Sequence, residues 1–274
     1  MRFKQFIREF RLRRYIYAYH HRNPIIKALA KQSWKNWSAF ENHDFRLTRN
    51  GEIWLAKRVG QWFGPDADGA YVDVGANYGE WSDHLNQNCP WAKIHAIEIA
   101  PQTYADLGKI IGNRPNITLH NIGFADKEGE FTLYLNRSSE TTGLYHHPGD
   151  ATAKTATAKV VRGDDFLKTS GIDHVHFMKI DVEGAEYDVL QGLEHSLSNG
   201  AIDVIQFEYG IFNIASRRLL KDFYALLSPH YTIGKLFPRF VDFRDYHLLH
   251  ENFAPANYIA VRKELGPLIK HLAN

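Results

Sequence analysis

The sequence predicts an α/β fold in which helices cover both faces of a mostly parallel, seven-stranded sheet. Apolar runs of strand length alternate with helix-length segments, which implies right-handed crossovers between parallel strands. The run 71–81, YVDVGANYGEW, passes from an apolar strand through a glycine turn into a helix pattern. A second apolar run ends in an acid about 20 residues later, as in nucleotide-binding folds. We place the seven strands at 71–74, 93–98, 117–121, 174–181, 203–209, 231–236 and 257–261.

Residues 1–65 are predicted to form a basic helical extension that precedes the α/β domain, 66–274. Helix patterns occupy 24–36 and 51–63. The segment is basic, because Glu9 is the single acid before residue 41. Apolar side chains recur near the start at helical spacing: Phe3, Phe6, Ile7, Phe10 and Tyr17. A basic amphipathic helix of this kind can lie on an anionic membrane surface. Alternatively, its apolar stripe packs on the α/β domain or on a partner chain.

The turn after the first predicted strand has the composition of a cofactor-binding turn. Asp73 lies at the end of the strand, and Gly75 and Gly79 allow a tight turn and a close approach to a ligand. Asn77 tolerates unusual backbone angles and offers a side-chain amide. The spacing G-x-x-x-G differs from the G-x-G-x-x-G of dinucleotide-binding turns, so a ligand without phosphates fits better.

Glu98 ends the second predicted strand, where an acid can accept both hydroxyls of a ribose. This placement indicates a ligand that contains adenosine. Because the turn lacks a phosphate-binding signature, the pattern favours S-adenosylmethionine over NAD. The plainer alternative is a tight turn followed by a solvated surface carboxylate.

An insertion, 129–159, separates the third and fourth predicted strands. Its first part, EFTLYLN, has a strand pattern, and a stretch rich in Ser, Thr, Gly and His follows. We predict a hairpin with a mobile loop over the site. The segment 152–159, TAKTATAK, continues into two valines and is predicted to be an edge strand.

The segment 176–192, HFMKIDVEGAEYDVLQG, carries a specific resemblance. KIDVEGAE followed by an aliphatic helix resembles the hallmark of the FkbM-type S-adenosylmethionine-dependent methyltransferases, and VDVGANYGEW is similar to their first motif. The likeness covers 71–261. The chain departs from the family pattern at two places. The family commonly has a phenylalanine–glutamate–proline run at the position of 97–101 and usually has a leucine–aspartate pair at the position of 163–165.

This resemblance implies a class I, Rossmann-like methyltransferase fold with S-adenosylmethionine as its cofactor. The cofactor is expected to lie across the carboxyl ends of the first, second and fourth strands. Its methionine part is assigned to the glycine turn and its ribose to the acid of the second strand. Asn121 and Gly123 are assigned to the adenine edge, and Asp181 to the cofactor ammonium or the acceptor. The predicted cofactor-binding residues are Asp73, Gly75, Asn77, Tyr78, Gly79, Glu98, Asn121, Gly123 and Asp181.

An alcohol acceptor needs a group that takes its proton, and three carboxyl groups are candidates. Glu183 follows Asp181 by two residues, so both can point into one cleft, where paired acids raise one pKa toward neutrality. We predict Glu183 as the general base, ahead of Asp181 and Glu208. Alternatively, Glu183 caps the helix that begins near Gly184. Lys179, on the same strand, is a candidate ion-pair partner for one of these acids.

Histidines are weaker candidates. His174 and His176 share one face of a predicted strand, a spacing that can bind a metal. The sequence shows no third ligand for them, so no metal is predicted. His146 and His147, in the insertion, are predicted to be a solvated pair, with an acceptor contact as the alternative.

Composition fits one globular domain with an appended segment. A net charge of +2 argues against nucleic-acid binding through bulk charge. The single cysteine, Cys89, excludes an intramolecular disulfide and indicates a reducing compartment. No apolar run approaches the roughly 18 residues that span a bilayer, and the start lacks a signal-peptide core. We predict a cytoplasmic protein whose basic helix is its candidate contact with the inner membrane face.

The resemblance implies O-methylation, and our first hypothesis for the acceptor is a sugar hydroxyl of a glycan or surface polysaccharide. A small-molecule, natural-product O-methyltransferase is the second hypothesis. A scaffold that binds the cofactor without catalysis is a third, and the full set of polar residues at the predicted site argues against it. RNA methylation is a further alternative, because arginines alternate with tyrosines near the start. The sequence makes no prediction of oligomeric state.

Overall fold

The computed structural model describes residues 13–135, 142–146 and 154–274. The predictions for Phe3, Phe6, Ile7, Phe10 and His147, and those for the rest of the insertion's loop, lie outside these ranges. The chain divides into two units, 1–43 and 44–274. In the first unit, residues 13–19 are helical and a longer helix spans Pro24–Phe40. None of the helices in the described ranges is long and apolar enough to cross a membrane.

The second unit contains a central sheet of eight strands. The strands of the unit, in chain order, are β1 Ala70–Val74, β2 Lys93–Ile97, β3 Ile117–His120, β4 Gly123–Ala125, β5 Gly129–Leu135, β6 Lys154–Arg162, β7 Val175–Ile180, β8 Ile202–Tyr209, β9 Tyr231–Phe237, β10 Phe240–Phe243 and β11 Ala256–Arg262. The order in the central sheet is β10-β9-β11-β8-β7-β1-β2-β3. The five strands from β8 to β3 are parallel, whereas β11 runs antiparallel to both of its neighbours.

The predicted α/β fold is confirmed, but the predicted count of seven strands in the central sheet is wrong. The additional strand, β10, pairs with β9 as an antiparallel hairpin. It has only four residues, which is too short for hydrophobic alternation to distinguish a strand from a loop.

Strands β5 and β6 of the insertion join β4, which precedes it, in a separate three-stranded sheet with the order β4-β6-β5. The predicted hairpin is present, because β5 and β6 pair antiparallel. The prediction of an edge strand is wrong, since β6 lies in the middle of this sheet and pairs with β4 on its other side. The pairing with β4 links segments more than 30 residues apart, so no local pattern reveals it.

Helices cover both faces of the central sheet, as predicted. Successive strand residues point to opposite faces, so each strand contributes side chains to the core on either side of the sheet. Val72 and Val74 belong to one buried cluster, and Tyr71 belongs to the other. The helices of this unit are Glu52–Phe63, Glu80–Asn88, Pro101–Ile111, Gly163–Thr169, Glu186–Gln191, Glu194–Asn199, Asn213–Ser216, Leu220–Leu227 and Gly266–Leu272.

The division after residue 43 differs from the predicted boundary at residue 65. The helix Glu52–Phe63 was assigned to the extension, yet it buries Leu55, Ala56 and Val59 in the same cluster as strand residues of the sheet. Its apolar side therefore contributes to the core of the second unit.

The carboxyl ends of β1, β2, β7 and β8 meet at one edge of the sheet. β1 pairs with β2 on one side and with β7, much later in the chain, on the other. Strand order therefore reverses beside β1, and open α/β sheets bind ligands at such a point.

Candidate active site

A cavity of about 840 Å³ opens at this edge of the sheet, a size within the usual range of ligand sites. Its described wall is rich in acids. The carboxyl side chains in it are Glu52, Glu80, Glu98, Asp181, Glu183 and Glu208, and the basic ones are Arg46 and Lys179. A pocket of this composition favours a positively charged ligand and disfavours a pyrophosphate.

The two glycines of the β1 turn make room for other parts of the chain. Gly75 has φ +86°, and a Cβ on it would collide with the carbonyl oxygen of Asp181. Gly79 has φ +81°, and a Cβ there would lie 2.5 Å from the Ile111 side chain. Gly75 therefore allows β1 to end directly beside β7 and lines the cavity, whereas Gly79 allows close packing of two helices behind it.

Glu98 joins the glycine turn to the loop after β2. One carboxylate oxygen accepts a hydrogen bond from the Asn77 amide at 2.9 Å, and the other accepts one from the Ala100 amide at 2.8 Å. Each oxygen keeps a lone pair for a ligand hydroxyl. Burial raises the pKa of Glu98, and these two hydrogen bonds oppose the rise. Asn77 has φ +48°, and its buried Oδ1 atom has no hydrogen-bond partner among the described residues, so it is available to a ligand.

The predicted cofactor residues divide between the cavity wall and the layer behind it. The wall contains Gly75, Asn77, Tyr78, Glu98, Gly123 and Asp181. Asp73 lies behind it, fully buried, and accepts a hydrogen bond from Ser82 Oγ at 2.7 Å. Asn121 donates from Nδ2 to the carbonyl oxygens of Glu98 and Ile99, at 2.8 and 3.2 Å. Asp73 and Asn121 are thus placed to support the wall.

The three predicted catalytic carboxyl groups lie together. Asp181, Glu183 and Glu208 each offer an oxygen within 4.8 Å of the other two. Lys179 Nζ is 3.0 Å from Asp181 Oδ2, so the predicted ion pair is present. Glu183 Oε2 is buried and has no hydrogen-bond partner in the described chain. Burial, followed by the charges of Asp181 and Glu208, raises the pKa of Glu183 well above its ordinary value.

Glu183 does not cap the following helix. That helix begins at Glu186, and its N-cap residue, Ala185, makes no side-chain capping bond. Instead, Glu186 Oε1 accepts hydrogen bonds from the amides of Val182 and Gly184, at 3.1 and 3.0 Å. Glu183 therefore keeps its carboxyl group free. Its backbone has φ +56°, a left-handed conformation that is rare outside glycine.

Glu186 was not among the predicted site residues, although it belongs to the KIDVEGAE motif. Its carboxylate is almost fully buried and organises the turn that presents Glu183. Burial raises the pKa of Glu186 to about 7, against the hydrogen bonds from the turn amides. An acid two residues after a turn glycine was the signal available in the sequence.

We expect Glu186→Gln to lower the turnover number about 10- to 100-fold, because a misplacement of about 1 Å near the reacting atoms costs up to that much. The glutamine oxygen can keep the bonds of Oε1, but its NH₂ group in the place of Oε2 would face two donors, the Gly184 amide and Asn213 Nδ2. The affinity for S-adenosylmethionine should change less than about threefold, since Glu186 does not line the cavity. Glu194→Gln, in an exposed acid nearby, is the matched control. A lower affinity with normal turnover would contradict a role in positioning Glu183.

Glu52 and Arg46 were also missed as site residues, because they precede the first strand. Glu52 is buried and accepts hydrogen bonds from Asn50 Nδ2 at 2.7 Å and from Gln206 Nε2 at 2.6 Å. Burial raises the pKa of Glu52. The long-range packing of the helix Glu52–Phe63 brings Glu52 to the cavity.

A second polar cluster lies at the amino-terminal end of β7. The sequence showed no third ligand beside His174 and His176, but the structure places Asp203 of β8 there. Its Oδ2 atom is 2.7 Å from His174 Nε2 and 2.9 Å from His176 Nδ1. This cluster and the three acids of the cavity are the described groups whose spacing could hold a metal ion. The expectation that no metal is bound remains a prediction.

We expect Asp203→Asn to lower the free energy of unfolding by about 1–2 kcal/mol at pH 5.5, because it weakens two charge-assisted hydrogen bonds. The bond to Asp203 raises the pKa of His174 above its ordinary value. Burial would raise the pKa of Asp203, but the bonds from both histidines lower it overall.

The contribution of His174 is therefore fully present below about pH 6.5 and is lost as pH rises through its raised pKa. The contribution of Asp203 is present above about pH 4 and is lost as pH falls through its lowered pKa. Denaturant unfolding should show a difference between wild type and variant that shrinks from pH 5.5 to pH 9. A constant difference would argue against this coupling, and Asp173→Asn, in an exposed neighbour, is the control.

A parallel sheet with a glycine turn after β1, an acid after β2 and an acidic cavity at the strand ends defines a class I, Rossmann-like methyltransferase. A family model described as the methyltransferase FkbM domain matches residues 73–235. The chain therefore belongs to the FkbM methyltransferase family, and S-adenosylmethionine is the cofactor of this domain. The cavity fits that cofactor, because it combines excess carboxyl groups for a cation with the free Asn77 Oδ1 acceptor.

Three curated relatives are similar to this chain. Methyltransferase 1 of Beauveria bassiana is 28% identical over 47% of this chain and 60% of its own length. The 2-O-methyltransferase NoeI of Sinorhizobium fredii is 21% identical over 64% of this chain and 77% of its own length. The hexuronic acid methyltransferase AglP of Haloferax volcanii is 24% identical over 61% of this chain and 66% of its own length. The chain thus spans less than two thirds of the length of the first of these relatives.

Proposed function

We propose that the protein transfers a methyl group from S-adenosylmethionine to a sugar hydroxyl of a glycan or surface polysaccharide. The cluster of Asp181, Glu183 and Glu208 carries this proposal, because methylation of an alcohol requires an acceptor for the hydroxyl proton. The relatives NoeI, a 2-O-methyltransferase, and AglP, a hexuronic acid methyltransferase, support a sugar as the acceptor.

Bound S-adenosylmethionine supplies a methyl group on a positively charged sulfur. In this proposal Glu98 holds the ribose hydroxyls, and Asn77 and Tyr78 hold the methionine part. Gly123 lines the adenine edge, where Asn121 acts by fixing the loop after β2. The carboxylates of the wall, Asp181 among them, neutralise the positive charges of the cofactor.

Glu183 Oε2 is the proposed acceptor of the hydroxyl proton. In the free protein, burial and the charges of Asp181 and Glu208 raise the pKa of Glu183, which favours its protonated form. Positive charge brought beside the cluster lowers that pKa and favours the carboxylate. A bound cofactor cation therefore favours the basic form of Glu183.

The mouth of the cavity provides contacts suited to a saccharide. Phe45, Tyr78 and Ile211 line it and remain largely exposed. An aromatic side chain can cover the apolar face of a sugar ring while hydroxyls stay hydrated. Arg46, also in the wall, is exposed, and its guanidinium can bind the carboxylate of an acidic sugar in a bidentate pair.

The proposal is tested by following label from methyl-labelled S-adenosylmethionine into separate acceptors: neutral oligosaccharides, oligosaccharides that contain uronic acids, phenolic small molecules and RNA. We expect label in a saccharide, with mass spectrometry locating an O-methyl group. Glu183→Gln should slow this transfer at least about 100-fold.

Label found only in phenols would assign the protein to natural-product methylation, and label found only in RNA would assign it to RNA methylation. Normal cofactor binding without transfer to any acceptor would favour a scaffold. Each of these results would overturn the proposal.

A further inference from the structure

The helix Pro24–Phe40 has large apolar side chains that the described residues leave exposed. None of its residues is buried, and Ile25, Trp34 and Phe40 are 69%, 63% and 76% exposed. The helix start is nevertheless well defined, because Asn23 Oδ1 accepts a hydrogen bond from the Ile25 amide at 2.9 Å and Pro24 occupies the first turn. An exposed apolar surface on an ordered helix indicates a binding surface.

The apolar and the basic side chains lie on opposite sides of this helix. At 3.6 residues per turn, one side carries the apolar set Ile25, Ile26, Leu29, Trp37 and Phe40. Lys27, Lys31 and Lys35 follow one another at intervals of four on the other side. Trp34 lies at the border between the two sides, where an amphipathic indole is favoured at a membrane–water interface.

Charge distinguishes this segment from the rest of the chain. Residues 13–40 contain six basic side chains and no acid. Of the 33 basic and 31 acidic residues in the chain, ten basic and one acidic precede residue 41, so the remainder is net negative. An anionic surface therefore attracts this segment and repels the remainder.

We propose that the helix Pro24–Phe40 lies flat on an anionic lipid surface. Its apolar side enters the boundary between headgroups and acyl chains, while the three lysines reach up to lipid phosphates. A protein groove would accommodate the apolar side equally well, but the row of lysines without a single acid matches a continuous layer of negative headgroups. This proposal is independent of the acceptor and of the reaction.

The test is sedimentation of the full chain with vesicles of phosphatidylcholine, alone or with about one third phosphatidylglycerol. We expect binding to the anionic vesicles that weakens as salt rises. Lys27→Gln/Lys31→Gln/Lys35→Gln should lower the partition coefficient about 100-fold, since each lysine near the surface contributes about fivefold. Leu29→Ser/Trp37→Ser/Phe40→Ser should abolish binding.

The matched control is Lys57→Gln/Lys154→Gln/Lys168→Gln, which removes the same charge from exposed positions of the second unit. It should bind vesicles like the wild type, and all variants should keep the wild-type affinity for S-adenosylmethionine as proof of folding. Equal loss of binding in the control, equal binding to neutral vesicles, or no vesicle binding at all would overturn the proposal. The proposal would also be overturned if the wild type did not bind vesicles and instead formed a dimer that the serine substitutions dissociate.

Discussion

Replacing Glu183 with glutamine is expected to lower the turnover number about 10²- to 10⁴-fold, the usual contribution of a general base. Glutamine keeps the size of the side chain but cannot take a proton from the acceptor hydroxyl. The affinity of the Glu183→Gln variant for S-adenosylmethionine should stay within about threefold of the wild-type value, because only the proton transfer is removed. Single-turnover kinetics and calorimetric titration measure the two quantities separately.

The pH dependence of the methyl-transfer rate provides a second test of Glu183 as the base. If Glu183 is the base, the wild-type rate at saturating cofactor should rise with pH through one ionisation, and the variant should lack that rise. Glu128→Gln, in an exposed acid just before the insertion, should match the wild type. Unchanged turnover in the Glu183 variant would transfer the role to Asp181 or Glu208.

Replacing Glu98 with alanine is expected to weaken S-adenosylmethionine binding about 10²- to 10⁴-fold. The change removes the proposed acceptor of two ribose hydroxyls, at about 1.5–3 kcal/mol for each bond to a charged group. It also leaves the amides of Asn77 and Ala100 without their acceptor, which loosens the glycine turn.

Calorimetry with S-adenosylhomocysteine separates these effects from electrostatics. Both ligands contain the same ribose, so Glu98→Ala should weaken both to a similar extent. A loss confined to S-adenosylmethionine would show that Glu98 acts through charge on the sulfonium, and an unchanged affinity would remove the ribose assignment. Glu130→Gln serves as a control for the loss of an exposed acid.

The sequence predicted those parts of the site that depend on strand ends. Asp181, Glu98 and Glu208 follow or end apolar strands, and parallel strands bring their carboxyl ends to one edge. Glu183 was predicted from its spacing to Asp181 alone. Local patterns therefore sufficed wherever the sheet itself sets the position of a side chain.

The parts that the sequence did not reveal depend on contacts between distant segments. Glu52 reaches the cavity only because its helix packs on the sheet and Gln206 holds its carboxylate at 2.6 Å. Asp203 approaches the two histidines only because β8 pairs with β7. Asn121 follows a strand and so looked like a ligand contact, but its amide is used by two carbonyl oxygens of the neighbouring loop. Strand pairing and side-chain competition for hydrogen bonds leave no trace in a local pattern.

The left-handed backbone conformation of Glu183 lowers folding stability at the residue that we assign to the reaction. A residue other than glycine costs about 1–2 kcal/mol in this conformation, and the burial of Oε2 without a hydrogen-bond partner adds a desolvation cost. Glycine at this position would relieve both penalties, so Glu183→Gly should melt at a higher temperature than the wild type. Directed evolution for heat resistance alone would consequently tend to discard the residue that we assign to the chemistry.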